Sequence, residues 1–145
     1  MQVLTRSAAS KSAILNSQKQ AAQEALAVAV GETRARFITS IPGQELTYIE
    51  KERQALAFLA ASPAPDPIDP AQFAAFKFVF EEVGITGQTP YQVALVIAYM
   101  AGRWRDVGPL IERERLAATA AIDGAQDPDQ IEAALDGYTR AVADL

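Results

Sequence analysis

The chain has 145 residues and a net charge of −5; half of its residues are hydrophobic, and it contains no cysteine and no histidine. The length fits one ordinary domain, or a small domain with an appended arm. The two missing residue types exclude a disulfide framework, a thiolate nucleophile, a zinc–thiolate site and any imidazole base. Alanine supplies 29 residues and the aromatic types only 11, which favours helices around a modest core.

The N-terminal sequence and the charge distribution limit where the chain is expected to act. The longest apolar run near the start, residues 25–30, is far shorter than the roughly 20 residues that span a bilayer, and no secretory signal is visible. The sequence therefore predicts synthesis in the cytoplasm and no membrane partner. Residues 1–61 carry seven basic and five acidic groups, and residues 62–145 carry six and thirteen, which disfavours a nucleic-acid partner.

The first segment, residues 1–61, is predicted to form a long N-terminal helical arm. One face carries loosely spaced apolar residues, and two interpretations stay open: an arm that docks on a partner or on copies of itself, or a helix that folds back on its own domain. Arginine is enriched at interaction hot spots. The first interpretation, a docking arm, therefore also includes a nearby Arg-x-Arg pair. The candidate partner interface consists of Leu15, Leu26, Arg34, Arg36 and Phe37.

Pro42 and Gly43 interrupt this pattern, and the sequence leaves open whether one continuous helix crosses them. A second helical segment is predicted from Gln44 to Ala61. Its charged side is expected to be solvated and to form local ion pairs. Its apolar face carries Leu46, Ile49, Leu56 and Leu59.

Four prolines between residues 62 and 70 mark the one clear break in composition. Because each proline fixes φ and disfavours helix in the residue before it, the stretch is predicted to run extended as a stiff connector. A proline-rich recognition ligand is the alternative, which the lack of flanking basic residues disfavours. The connector separates the arm from a predicted small helical bundle, residues 62–145.

Three helices of this bundle are predicted to begin with the same local chemistry. In each, an Asp or Thr that can cap a helix stands directly before a proline at the first helical position, and a glutamine follows three residues after the cap. The three starts are Asp69-Pro70, Thr89-Pro90 and Asp127-Pro128.

Apolar residues spaced by three and four positions follow each start and indicate amphipathic helices. The first helix is predicted to end at Gly84, and the second to run to about Gly124, kinked or briefly broken near Pro109. No alternation typical of strands occurs, so the predicted class is all-α. The core is expected to form around the large residues Phe73, Phe76, Phe80, Trp104 and Tyr138.

Acidic pairs are the candidates that remain for catalytic or metal chemistry. A glycosidase-type site needs two acids facing each other across a cleft, whereas neighbours at i and i+2 on a helix diverge. The aspartates between residues 123 and 129 lack the spacing of an EF-hand loop. The sequence predicts no catalytic residue, no cofactor and no metal; an acid–base enzyme that uses carboxylates is a distant alternative.

A longer combination of motifs resembles a known group of proteins. Residues 36–52 read RFITSIPGQELTYIEKE, and after the proline-rich spacer come a VGITG turn at 83–87, a central Trp104 and the run IERERLA at 111–117. Over about residues 32–122 this combination resembles small bacteriophage proteins associated with tails and tail fibres.

The resemblance implies a non-enzymatic structural component of a phage tail or tail-fibre apparatus, made in the host cytoplasm and located in the virion tail. Its implied partners are other tail or fibre proteins and further copies of the chain, bound through helical interfaces. A fibre-assembly chaperone, which binds nascent fibre chains and then leaves, is the alternative.

Overall fold

A computed structural model describes residues 7–39, 41–61 and 70–145, and within these ranges the chain forms helices and no strand. The prediction of an all-α protein is confirmed. The predicted cap Asp69 and most of the proline-rich connector, residues 62–69, lie outside the described residues. The helices are α1 (Ala8–Ala35), α2 (Gln44–Ala61), α3 (Pro70–Ala75), α4 (Lys77–Glu81), α5 (Pro90–Gly124) and α6 (Pro128–Val142).

Helices α3, α5 and α6 begin at the three prolines that the sequence indicated. At the start of α6, the Asp127 carboxylate accepts a hydrogen bond from the amide of Gln130 at 2.9 Å, and the Gln130 side chain accepts one from the amide of Gln126 at 2.8 Å. The start of α5 repeats both bonds around Thr89 and Gln92. The glutamines thus reach one residue further back than in an ordinary capping box.

The two prolines whose effect the sequence left open behave differently. α1 ends at Ala35 and α2 begins only at Gln44, so the chain forms two helices around Pro42; Gly43 between them has a φ of 83°, which favours glycine. Helix α5 continues through Pro109 without interruption. That proline removes one backbone donor from a helix of 35 residues, which the remaining hydrogen bonds tolerate.

The single helix predicted between Asp69 and Gly84 is wrong, because the chain breaks at Phe76. The backbone of Phe76 (φ −128°, ψ 42°) lies outside the helical region and separates α3 from α4. In an unbroken helix, residues seven apart are about 10 Å apart along the axis. The break instead brings the ring of Phe73 to 5.4 Å from that of Phe80, between centroids. Ring packing therefore overrides the helical pattern at this point.

Contacts divide the chain into two compact units, and this division differs from the boundary predicted at residue 61. One unit falls within Met1–Ile38 and Val107–Leu145, and the other within Thr39–Asp106. α1 packs on α6, while α2 packs on α4. The composition break in the sequence does not show which helices share a core.

The first unit buries one side of α1 together with α6 and the later part of α5. The predicted apolar face of α6 is confirmed, because Ile131, Tyr138 and Val142 are each at most 6% exposed. The hydroxyl of Tyr138 donates a hydrogen bond to the Thr33 hydroxyl of α1 at 3.1 Å. The buried apolar residues of this unit are Ala22, Leu26, Val30, Ile111, Ala118, Ile122, Ala125, Ile131, Ala134, Tyr138 and Val142.

The second unit has a smaller core centred on Phe58, whose ring meets those of Phe76 and Phe80 edge to face at 5.5 and 5.9 Å between centroids. Two side chains that were expected in the core lie further out: Phe73 is 41% exposed and Trp104 is only partly buried. Small residues take much of the space between the helices. The buried set is Ala55, Phe58, Val79, Val93, Ala94 and Ile97.

Candidate functional site

Helix α2 carries an apolar face on the side opposite to its core contacts. Ala55 and Phe58 are buried, whereas Leu46, Ile49 and Leu56 are 75%, 66% and 43% exposed. The sequence grouped these three residues with Leu59 on one face; the structure packs Leu59 against the core and leaves the other three exposed. We name Leu46, Ile49 and Leu56 the α2 outer face.

Helix α5 carries a second exposed apolar face in the same unit. Leu95, Val96, Tyr99 and Met100 are spaced by one, three and one positions, so they lie on one side of the helix. They are 45%, 41%, 64% and 51% exposed, whereas Val93 on the core side is fully buried. We name these four exposed residues the α5 outer face. This face was not predicted, because the apolar pattern spaced by three and four positions along this helix does not include Leu95, Val96 and Tyr99.

The two outer faces differ in their charge. Beside the α2 outer face, the Arg53 guanidinium donates hydrogen bonds to the Glu50 carboxylate at 2.9 and 2.5 Å. These bonds, with a further one from Gln54, lower the pKa of Glu50 to about 2. The four residues of the α5 outer face are themselves uncharged, and no charged residue lies between Glu82 and Arg103 in the sequence; the exposed Arg103 follows Tyr99 by four positions on the same side of the helix. This uncharged run is the sequence signal that could have identified the face.

Other charged residues of α2 link it to neighbouring elements of its unit. Lys51 Nζ lies 2.5 Å from Glu82 Oε1, and Arg105 Nη1 lies 2.6 Å from Glu52 Oε1. The Lys51 and Glu82 side chains are only about one-fifth exposed, so solvent screens their attraction less than that of a surface pair. The charged side of α2 was predicted to be solvated and to form ion pairs within the helix. This prediction is wrong for Lys51 and Glu52, because both pair with residues outside α2.

The buried side chain of Gln54 joins α2 to the start of α4. It is 7% exposed; its Oε1 accepts a hydrogen bond from the Phe78 amide at 2.9 Å, and its Nε2 donates one to Glu50 at 2.8 Å. Phe76 at the start of α4 forms no side-chain cap. Gln54 therefore satisfies, from another helix, an amide that a capping side chain ordinarily satisfies.

Replacing Gln54 by leucine is expected to lower the free energy of unfolding of the second unit by about 1–3 kcal/mol, because the partly buried Phe78 amide loses its acceptor. Urea unfolding followed by the fluorescence of Trp104, the one tryptophan in the chain, measures this change in its own unit. The exposed Gln88 provides the control, and its replacement by leucine should leave the transition in place. Equal transitions for the two variants would contradict the role given to Gln54.

A tyrosine hydroxyl forms a hydrogen bond across the turn that contains the Pro-Gly-Gln-Glu stretch. The oxygen of Tyr48 accepts a hydrogen bond from the Thr39 amide at 3.1 Å across the turn that contains Gly43. Burial raises the pKa of Tyr48, but hydrogen bonds from Thr39 and Gln44 outweigh it, so that the pKa lies below its ordinary value. These contacts give the stretch a local structural role, since they hold the turn before α2.

The VGITG turn packs directly on the first turn of α5. Gly84 has a φ of 86°, and its amide donates to the carbonyl of Gly87 at 2.7 Å. A Cβ atom at Gly87 would lie 2.9 Å from both Gln92 Cβ and Val93 N, closer than real side chains come. The second glycine of the motif is therefore required by close approach of the backbone to α5.

The candidate interface residues of α1 are engaged within the first unit. Leu26 is only 2% exposed, and Arg34 Nη2 pairs with Glu112 Oε2 at 3.1 Å. Hydrogen bonds from Arg115, and the charges of Arg115 and Arg34, hold the pKa of Glu112 below its ordinary value. Of the two interpretations of the arm, these contacts favour the helix that folds back on its own domain.

The remaining candidates on this segment also contact their own unit. Arg36 donates to the carbonyl oxygens of Val142 and Leu145 at 3.0 and 2.7 Å, where a cation complements the end of α6. Its guanidinium also lies 5.3 Å from the centre of the Phe37 ring. Leu15 is partly buried and lines an open groove of about 490 Å³ beside the start of α6. Docking of a partner on these five residues stays a prediction.

The acidic pairs are engaged in structural contacts where the structure describes their bonds. Glu82 and Glu112 pair with cations, and Asp127 caps α6. Among the described residues no group of three or more acidic side chains could hold a metal ion. No helix in the described ranges is long and apolar enough to cross a membrane.

Comparison of the chain with family models, with curated proteins and with solved structures found no match in any of the three.

Proposed function

We propose that this chain is a non-enzymatic structural protein of a bacteriophage tail or tail-fibre apparatus, acting through helical protein–protein interfaces. The observation that carries the proposal is the pair of outer faces of the second unit. Together they expose seven large apolar side chains to between 41% and 75%, on helices whose opposite sides form a core. Contiguous apolar patches of this kind mark interaction sites, whereas single exposed apolar residues are ordinary.

The motif resemblance over residues 32–122 supplies the proposed setting, and with it the virion tail as location. Other tail or fibre proteins and further copies of the chain are the proposed partners. Two exposed apolar faces on helices that share one small core suit a subunit that is packed between neighbours. The cation-paired carboxylates support a protein without catalysis, because acids held in ion pairs have lowered rather than raised pKa values, as Glu50 shows.

A fibre-assembly chaperone is the second candidate, because exposed apolar helices also suit a protein that covers nascent chains and then leaves. Particle composition separates the two. Mass spectrometry of purified virions, alongside infected-cell lysate, is expected to find the chain in both. Its presence in the lysate and absence from the particle would overturn the structural proposal and favour the chaperone.

Single substitutions at residues of matched exposure test whether the outer faces are needed for incorporation of the chain into the particle. Ile49→Glu on the α2 outer face is expected to reduce the amount of chain per particle at least several-fold, because a charge would have to be buried at an interface. Val28→Glu on α1 is the control, since Val28 is 62% exposed and Ile49 is 66% exposed. Equal incorporation of both variants would show that the α2 outer face is not used.

A further inference from the structure

Helix α5 belongs to both compact units, and the boundary between the units crosses it near its middle. Residues up to Asp106 fall in the second unit, and residues from Val107 onward fall in the first. The chain crosses the boundary once more between Ile38 and Thr39, after the end of α1 and before the start of α2. Among the described helices, α5 alone therefore continues from one unit into the other.

Each half of α5 forms an ion pair with another helix of its own unit. In the second unit, Arg105 Nη1 lies 2.6 Å from Glu52 Oε1 of α2. In the first unit, Glu112 Oε2 lies 3.1 Å from Arg34 Nη2 of α1. The two pairs are only seven positions apart along α5, so the stretch that belongs to neither attachment is short.

The burial of α5 follows the same division. Ile97 is 8% exposed in the core of the second unit, and Ile111 is fully buried in that of the first. None of residues 98–110, all of which the structure describes, is buried. The middle of this helix of 35 residues therefore lacks the packing that fixes its two halves.

The unburied stretch contains the two residue types that weaken a helix most. Gly108 and Pro109 are adjacent and follow the unit boundary directly. Proline has no amide hydrogen, so the carbonyl of Arg105 receives no hydrogen bond from position 109, and the proline ring crowds that carbonyl. Glycine is the poorest helix former after proline, because it loses the most backbone freedom. Sharp bends in helices occur at such positions.

We infer that α5 is hinged at Gly108 and Pro109, so that its two halves change direction relative to each other while the core around each half stays intact. A hinge is a short stretch that absorbs a change in backbone angles. Here the ion pair of Arg105 bounds the stretch on one side, and the buried Ile111 bounds it on the other. The inference goes beyond the proposed function and does not depend on it.

The distance between two spin labels on α5 tests the hinge, and the absence of cysteine allows labels to be placed at chosen positions only. Tyr99→Cys and Ala117→Cys place them at exposed residues, nine positions before and after Gly108. Eighteen residues make five whole turns, so both labels lie on the same side, about 27 Å apart along a straight helix. A change of 20° in the bend, toward or away from the labels, alters their distance by about 2 Å.

Double electron–electron resonance of the doubly labelled full chain is expected to give a broad distribution of distances. Pro109→Ala restores the missing amide and is expected to narrow this distribution by at least about 2 Å. Leu110→Ala changes the next residue and keeps the proline, so this control variant should keep the broad distribution. Far-UV circular dichroism checks that all labelled variants are folded.

Three outcomes would overturn the inference. The first is a chain with Pro109 whose distribution is as narrow as that of the Pro109→Ala variant. The second is a Pro109→Ala variant whose mean distance shifts without narrowing, because a fixed kink would do the same. The third is equal narrowing by Leu110→Ala. No phage particle enters the measurement, so absence of the chain from virions would refute the proposed function and leave the hinge standing.

Discussion

Replacing Phe58 by alanine is expected to lower the free energy of unfolding of the second unit by about 3–5 kcal/mol. Phe58 is 2% exposed, and its ring touches those of Phe76 and Phe80 edge to face, so the substitution removes the centre of a small core. Trp104 lies in this unit and is the only tryptophan, so its fluorescence during urea unfolding follows the affected unit.

Ile49→Ala provides the comparison on the same helix. The isoleucine is 66% exposed, so its truncation should change the free energy of unfolding by no more than about 0.5 kcal/mol. A loss of similar size for Ile49→Ala and Phe58→Ala would mean that the α2 outer face is buried in the folded chain. The proposed interaction surfaces would then lose their basis.

Replacing Tyr138 by alanine is expected to destabilise the first unit by about 3–5 kcal/mol. Tyr138 is 2% exposed on α6, and its hydroxyl bonds to Thr33 of α1, so the substitution opens a cavity and removes a cross-helix hydrogen bond. Far-UV circular dichroism during urea unfolding follows both units, and the Trp104 signal follows the other one. The loss of stability should therefore appear in the circular dichroism signal. It should be smaller or absent in the fluorescence of Trp104.

Tyr138→Phe separates packing from hydrogen bonding at the same site. It keeps the ring and removes the hydroxyl, so a loss of about 1 kcal/mol is expected. A loss as large as that of the alanine variant would show that the hydrogen bond to Thr33, and not the burial of the ring, dominates at this position.

The helix starts could be predicted because their chemistry is local. Asp127 and Thr89 cap the helices that begin at the next residue, and all the groups involved lie within four positions of one another. The buried face of α6 was also predictable, since its apolar residues occupy one side only. Contacts of such short range can be predicted from the sequence alone.

The partners of the helices could not be predicted in the same way. Tyr138 and Thr33 are 105 residues apart, and the periodicity of α1 indicates a face without indicating what covers it. α2 is ambiguous for a related reason. It has apolar residues on two opposite sides, and only the packing of Phe58 on α4 decides which side is buried.

The candidate site shows the same limit. An Arg-x-Arg pattern reveals two cations but not their acceptors, and the structure gives Arg34 a carboxylate and Arg36 the carbonyl of Val142 at the end of α6. Gln54 carries no sequence signal of its role, because its acceptor atom caps a helix 24 residues away. The broken helix at Phe76 likewise depends on rings that meet only in the folded chain.

The contact between Gln54 and Glu50 is expected to make the start of α4 sensitive to acid. The pKa of Glu50 falls from an ordinary 4.5 to about 2 in the folded chain, so the carboxylate binds its proton more readily after unfolding. Its contribution to stability is therefore complete above pH 4.5 and is lost as the pH falls toward 2. Protonation removes the charge that accepts from Arg53 and Gln54. The hydrogen bond that the Gln54 side chain donates to Glu50 is then expected to weaken, and the effect reaches the Phe78 amide through the same glutamine.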